Sequence, residues 1–91
     1  MIGFPFQERR ISEKQFLREF TKDTSPGELV WHQDREDRVI KVVEANGWKL
    51  QLDNQLPVLL ENNSTYHIPA YLYHRVIKGS GKLVIKVEKK T

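Results

Sequence analysis

The chain has 91 residues, with 15 Lys and Arg against 12 Asp and Glu, a net charge of +3 and no cysteine. One domain with a single small core fits that length, and the missing cysteines exclude a disulfide framework, a thiolate zinc site and a Cys nucleophile. No apolar run approaches the ~18 residues of a membrane span and the first six residues are too short for a signal peptide, so the expectation is a soluble cytoplasmic protein without a membrane partner.

Residues 1–25 read as an N-terminal arm carrying the one helical signal. Ser12 can cap a segment over 13–22, and Glu13 places negative charge in its first turn. Phe16 and Phe20 stand at i and i+4, with Ile11 ahead of the cap and Leu17 adjoining, which gives one apolar face. A helix this short is marginal alone, so it is expected to dock on its own domain or on a neighbouring chain.

Residues 26–91 read as strands. Ser25, Pro26 and Gly27 punctuate the start, and candidate strands follow at 28–32, 37–43, 48–53, 58–60, 65–68, 73–77 and 82–88. Their turns are marked by Asn46-Gly47, Asp53-Asn54, Asn62-Asn63, Pro69-Ala70 and Gly79-Ser80-Gly81. Short strands at this spacing predict an all-β sandwich or small barrel. Alternation sets the faces: Trp48, Leu50 and Leu52 against Lys49 and Gln51, and Leu83, Ile85 and Val87 against Lys82, Lys86 and Glu88. The C-terminal lysines (Lys78, Lys82, Lys86, Lys89, Lys90) read as a solvated strand edge, and nucleic acid is not the expected partner.

The polar run 31–38 holds the chemistry. On extended backbone His32 and Asp34 point the same way, and with a distant second histidine they make a three-ligand set for a divalent transition metal. That histidine is His67 or His74, and periodicity leaves both open. Arg38 shares a face with Ile40 and Val42, so it points inward while Val39, Lys41 and Val43 face out. Two roles compete for it. It forks onto a carboxylate or phosphate of a small ligand, or it forms a structural salt bridge to Asp34 or Glu36. Trp48 and Tyr66 are candidates for lining a pocket, and His67 is a candidate base if it faces the interior. The outward Val39 and Val43 suggest a sheet-to-sheet homodimer.

The order of these parts resembles a known family. His32-Gln33-Asp34, a strand through Arg38 to Val43 and the turn 44–47 resemble the first cupin motif. Pro69 and His74, within the stretch 64–76, match positions of the second motif, Pro-x-Gly-x-x-His, with Tyr71 in place of its Gly. The likeness covers 27–87 and is to small single-domain cupins of the RmlC-like superfamily, similar to those in marine phage genomes. It implies an all-β fold: a cupin double-stranded β-helix, or jelly-roll barrel, here with a short N-terminal helix. It implies a metal inside the barrel, with His32, Asp34 and His74 as ligands for Fe, Mn, Ni or Zn, and frequent dimerisation. Arg38 stands where the family has a ligand Glu, and an arginine stays protonated and cannot ligate. Resemblance and residues together lead to the expectation of a metal-binding cupin, of dioxygenase or isomerase type, acting on a small anionic molecule bound by Arg38, His67, Trp48 and Tyr66. The alternative is a non-catalytic ligand-binding or dimeric assembly module.

Overall fold

The computed structural model describes residues 6–25, 27 and 29–90. Among these residues eight strands form, in chain order β1 (Gln7–Arg10), β2 (Gln15–Phe20), β3 (Asp37–Glu44), β4 (Lys49–Leu52), β5 (Val58–Leu59), β6 (Thr65–Ile68), β7 (His74–Ile77) and β8 (Leu83–Lys90). They make a five-stranded sheet in the order β1-β2-β8-β3-β6 and a three-stranded sheet in the order β5-β4-β7, every ladder antiparallel. Ile40, Val42, Ile68, Leu83, Ile85 and Val87 of the larger sheet meet Leu50 of the smaller one and Trp48, just ahead of β4, in a buried cluster. The alternation of β3, β4 and β8 is therefore real: one face of each strand builds the core.

The expected helix over 13–22 does not form. The segment is a hairpin instead, β1 and β2, closed by the Ile11 and Ser12 amides on the Gln15 carbonyl at 2.8 and 3.2 Å. The reason lies in the spacing. Residues four apart share a face in a strand as well as in a helix, so Phe16 and Phe20 satisfy both periods. The choice falls to a distant element: β8 offers a full ladder, with Phe16 opposite Val87 and Phe20 opposite Leu83. Phe20 is buried to 5% exposure and its ring lies 5.4 Å from the indole of Trp48. Isolated helical turns have no comparable partner. β1 is exposed throughout and rich in charge, which suits an outer edge. Of the expected strand over 28–32, Glu28 lies outside the described residues. In the rest of it only His32 pairs, as one isolated bridge to His74.

Two loops are fastened by backbone chemistry. In the turn that carries the chain from β3 in one sheet to β4 in the other, Asn46 and Gly47 have φ of 51° and 85°, two successive left-handed residues closed by the Trp48 amide on the Ala45 carbonyl at 3.2 Å. The Asn46 side chain donates to the Lys82 carbonyl at 2.8 Å, and its own carbonyl accepts from the Ser80 amide at 2.9 Å. Gly79 lies so close beneath this turn that a Cβ there would overlap the Asn46 carbonyl oxygen and the Trp48 nitrogen. Among the described residues no helix is long and apolar enough to cross a membrane.

Candidate metal centre

His32 and His74 meet through their backbones. Each amide donates to the other's carbonyl, at 3.0 and 2.9 Å, so the two residues form a hydrogen-bonded antiparallel pair with side chains on one face. Their rings meet edge-on with centroids 4.2 Å apart. Asp34 reaches the same spot by a different route. Its carbonyl accepts from the Tyr71 amide at 2.7 Å, and the Asp37 carboxylate caps the Ala70 amide at 2.7 Å. The 69–72 turn is thereby clasped to the 34–37 loop, just ahead of His74. Tyr71 adopts φ of 63°, the conformation glycine prefers, at the position where the second cupin motif carries glycine.

One ligand atom from each of His32, Asp34 and His74 lies within 4.8 Å of the others. The tautomers follow from the neighbours. Nδ1 of His32 faces the Val30 carbonyl at 3.0 Å and Nδ1 of His74 faces the Leu72 carbonyl at 2.9 Å. A carbonyl only accepts, so both Nδ1 atoms carry the proton, and in the neutral rings both Nε2 atoms present bare lone pairs. Nε2 of His74 stands 3.3 Å from Asp34 Oδ2, which is buried and has no hydrogen-bond partner. Two lone-pair atoms that close repel unless a cation, either a proton or a metal, sits with them. The donor set therefore fits a divalent transition metal held by two imidazoles and a carboxylate.

Asp34 is held as a carboxylate, and the His32 ring is held toward its neutral form. Burial pushes the Asp34 carboxyl up, but the interaction with His74 and the charge of Arg38 outweigh it and hold the group below the usual carboxylate range. His32 is exposed as a residue, yet its ring lies against His74. Burial of that ring, with the His74 and Arg38 charges, lowers its pKa against the opposing pull of the Val30 carbonyl and Asp34.

Arg38 points inward as its parity implied, and it is engaged in ion pairs. Its Nη2 lies 3.3 Å from Asp34 Oδ1 and 3.4 Å from Glu36 Oε1. Asp34 thus gives one oxygen to Arg38 and turns the other toward the histidines. Beside the three residues a cavity of about 320 Å³ opens between the sheets, lined by Phe6, Phe20, Leu29, Val30, Ile40, Leu50, Leu60, Ile68, Val76, Leu83 and Ile85. Arg18, His32, Asp34, Arg38 and His74 supply its charged and polar wall.

The other three expected pocket residues lie elsewhere. His67 is on the outer face of β6, 59% exposed at its side chain and 3.8 Å from Asp37, because Tyr66 and Ile68 take the inner positions. Trp48 is wholly buried in the core and donates from Nε1 to the Gly81 carbonyl at 2.8 Å. Tyr66 is half-buried against the core, and its hydroxyl bonds the Leu59 carbonyl at 3.3 Å. Sequence reading missed Arg18 and Phe6. The signal for Arg18 was present, since Phe16, Arg18 and Phe20 alternate as a strand face does, but a helical reading hides it.

No family model and no curated protein sequence matches this chain. Solved structures do. KdgF from Halomonas sp. superposes with a TM-score of 0.75 at 14% identity, over 100% of this chain and 85% of that one. A cupin domain from Bordetella pertussis gives 0.64 at 20% identity, over 94% of this chain and 92% of that one. A structure from a study of the DMSP lyases RdDddP and RnDddQII gives 0.71 at 19% identity over 85% of this chain, which spans only 37% of that protein's length. At such identities the likeness speaks for architecture, and the architecture is that of the cupins: an all-β, double-stranded β-helical barrel.

Proposed function

We propose that this chain is a small metal-binding cupin whose ligands are Nε2 of His32, Oδ2 of Asp34 and Nε2 of His74, and that its cavity admits a small anionic molecule. The observation that carries the reading is the buried Asp34 Oδ2, 3.3 Å from His74 Nε2 without hydrogen-bond geometry, beside two histidines whose Nδ1 atoms are already committed to backbone carbonyls. When bound, a divalent transition metal such as Fe, Mn, Ni or Zn supplies a Lewis acid with positions open to a ligand. The chain's own residues do the rest. Val30 and Leu72 fix the imidazole tautomers, Arg38 orients the carboxylate, and the apolar wall excludes water from the ligand's body. Dioxygenase and isomerase chemistry are the reaction classes such a site serves.

A second reading rests on the ion pairs of Arg38. A guanidinium holding Asp34 and Glu36 is also the arrangement of a barrel that binds a small molecule, or dimerises, without turnover. Metal content measured by plasma mass spectrometry, in wild type beside a His32→Ala, His74→Ala double variant, separates the two. About one transition metal per chain, lost in the variant, supports the metal centre. Protein that stays metal-free after exposure to Fe, Mn, Ni and Zn refutes it and leaves the binding or assembly module.

A further inference from the structure

The cavity wall carries two guanidinium groups, and three carboxylates reach them, Asp34 and Glu36 at Arg38 and Glu8 at Arg18. Arg38 spends Nη2 on Asp34 and Glu36, while its Nε is buried with no hydrogen-bond partner. The buried Nε of Arg18, on the inner face of β2, is held by a long ion pair to Glu8 Oε2 at 3.4 Å, without hydrogen-bond geometry. Its guanidinium lies 4.4 Å over the Phe6 ring, which fixes the plane of the fork. Buried N–H donors almost always have a well-placed acceptor, and on this cavity wall Arg38 Nε has none while Arg18 Nε has only a long one. The charges agree. Burial holds the Arg18 pKa below its ordinary value, with Glu8 and Asp34 opposing the shift and Arg38 adding to it. An anion reached by both would offset their charge, and beyond the polar cluster of Arg18, His32, Asp34, Arg38 and His74 the wall is apolar.

We propose that Arg18 and Arg38 form a carboxylate-binding end of this cavity, and that its ligand is a small monocarboxylic acid with an apolar body. The volume of about 320 Å³ lies at the lower end of ligand sites, which suits a short acid and not a nucleotide or an oligosaccharide. The inference deepens the proposed small-anion site but does not depend on the metal. Guanidinium forks recognise carboxylates, and the apolar wall excludes ligands that are polar at both ends.

Isothermal titration of EDTA-stripped protein with hexanoate, 1-hexanol and inorganic phosphate tests it, with metal content measured on the same preparations. Hexanoate is expected to bind about tenfold or more tightly than hexanol, and Arg18→Gln to lose about tenfold or more for hexanoate while hexanol changes little. Glu8→Gln removes the competing carboxylate and should tighten hexanoate about two- to fivefold. Absence of hexanoate binding, equal binding of hexanoate and hexanol, or phosphate binding as tightly as hexanoate overturns the proposal. So does hexanoate binding that requires loaded metal and ignores Arg18, an outcome that would leave the metal centre standing. Binding to stripped protein that depends on Arg18 upholds the proposal whether or not metal loads. If Arg18→Gln does not fold, Glu8→Gln decides, and unchanged or weaker hexanoate binding in it refutes the subsite.

Discussion

Asp34→Asn is the sharpest single test of how the site is held together. The substitution keeps the shape and removes the charge that Arg38 meets at 3.3 Å, in a pair whose side chains are only 10% and 13% exposed. At an effective dielectric of about 20, one charge pair at that distance attracts by ~5 kcal/mol. Desolvation offsets much of that, and Glu36 remains on the same nitrogen at 3.4 Å. The net loss should therefore fall at about 2–3 kcal/mol, below the 3–5 kcal/mol of a buried pair broken outright. Urea denaturation of both proteins in EDTA at pH 7 reads it without any contribution from metal. With a slope near 1 kcal/mol/M for a small domain, the midpoint should drop by about 2 M. The pH dependence adds a second check. Asp34 is held below its unfolded value, so its stabilisation is present above about pH 4 and disappears as pH falls through the folded pKa. The gap between wild type and variant should begin to close below about pH 4 and be lost at lower pH. A loss under about 0.5 kcal/mol at pH 7, or a gap that persists unchanged to pH 2, would refute the idea that this ion pair orients the carboxylate.

Three further outcomes follow from the loops and the core. Tyr71→Gly should raise stability by about 1 kcal/mol in thermal or urea melts, because φ of 63° strains a side chain that is 62% exposed and has little packing to lose. Gly79→Ala should cost at least about 1–3 kcal/mol, since the added methyl meets the backbone of the turn at Asn46 and cannot be relieved by a rotamer; wild-type stability in that variant would contradict the close approach. Trp48→Phe should cost about 1–3 kcal/mol by orphaning the Gly81 carbonyl, yet leave metal stoichiometry unchanged, as a core residue does and a ligand-lining residue does not.

Much of the barrel could be read from the chain alone, because a strand's two faces are written into every second residue. Leu83, Ile85 and Val87 marked the inner face of β8, and Arg38, Ile40 and Val42 that of β3. The shared parity of His32 and Asp34, together with the likeness of Pro69 and His74 to the second cupin motif, pointed to one site, and the structure brings the side chains of His32, Asp34 and His74 together. Alternation, however, is a local property. It cannot say which distant strand will cover a face, nor choose between periods that coincide. Phe16 and Phe20 fit helix and strand equally until β8 supplies a ladder, and Arg18 enters the cavity only by that choice. His67 and His74 were equivalent in pattern, and the backbone bridge between His32 and His74 selected one of them. Trp48 and Tyr66 had the chemistry of pocket residues but were drawn into the core. The sequence by itself determined which residues look inward; tertiary pairing decided which of them meet, because hydrogen bonds and burial between segments tens of residues apart have no signature in the spacing of either one.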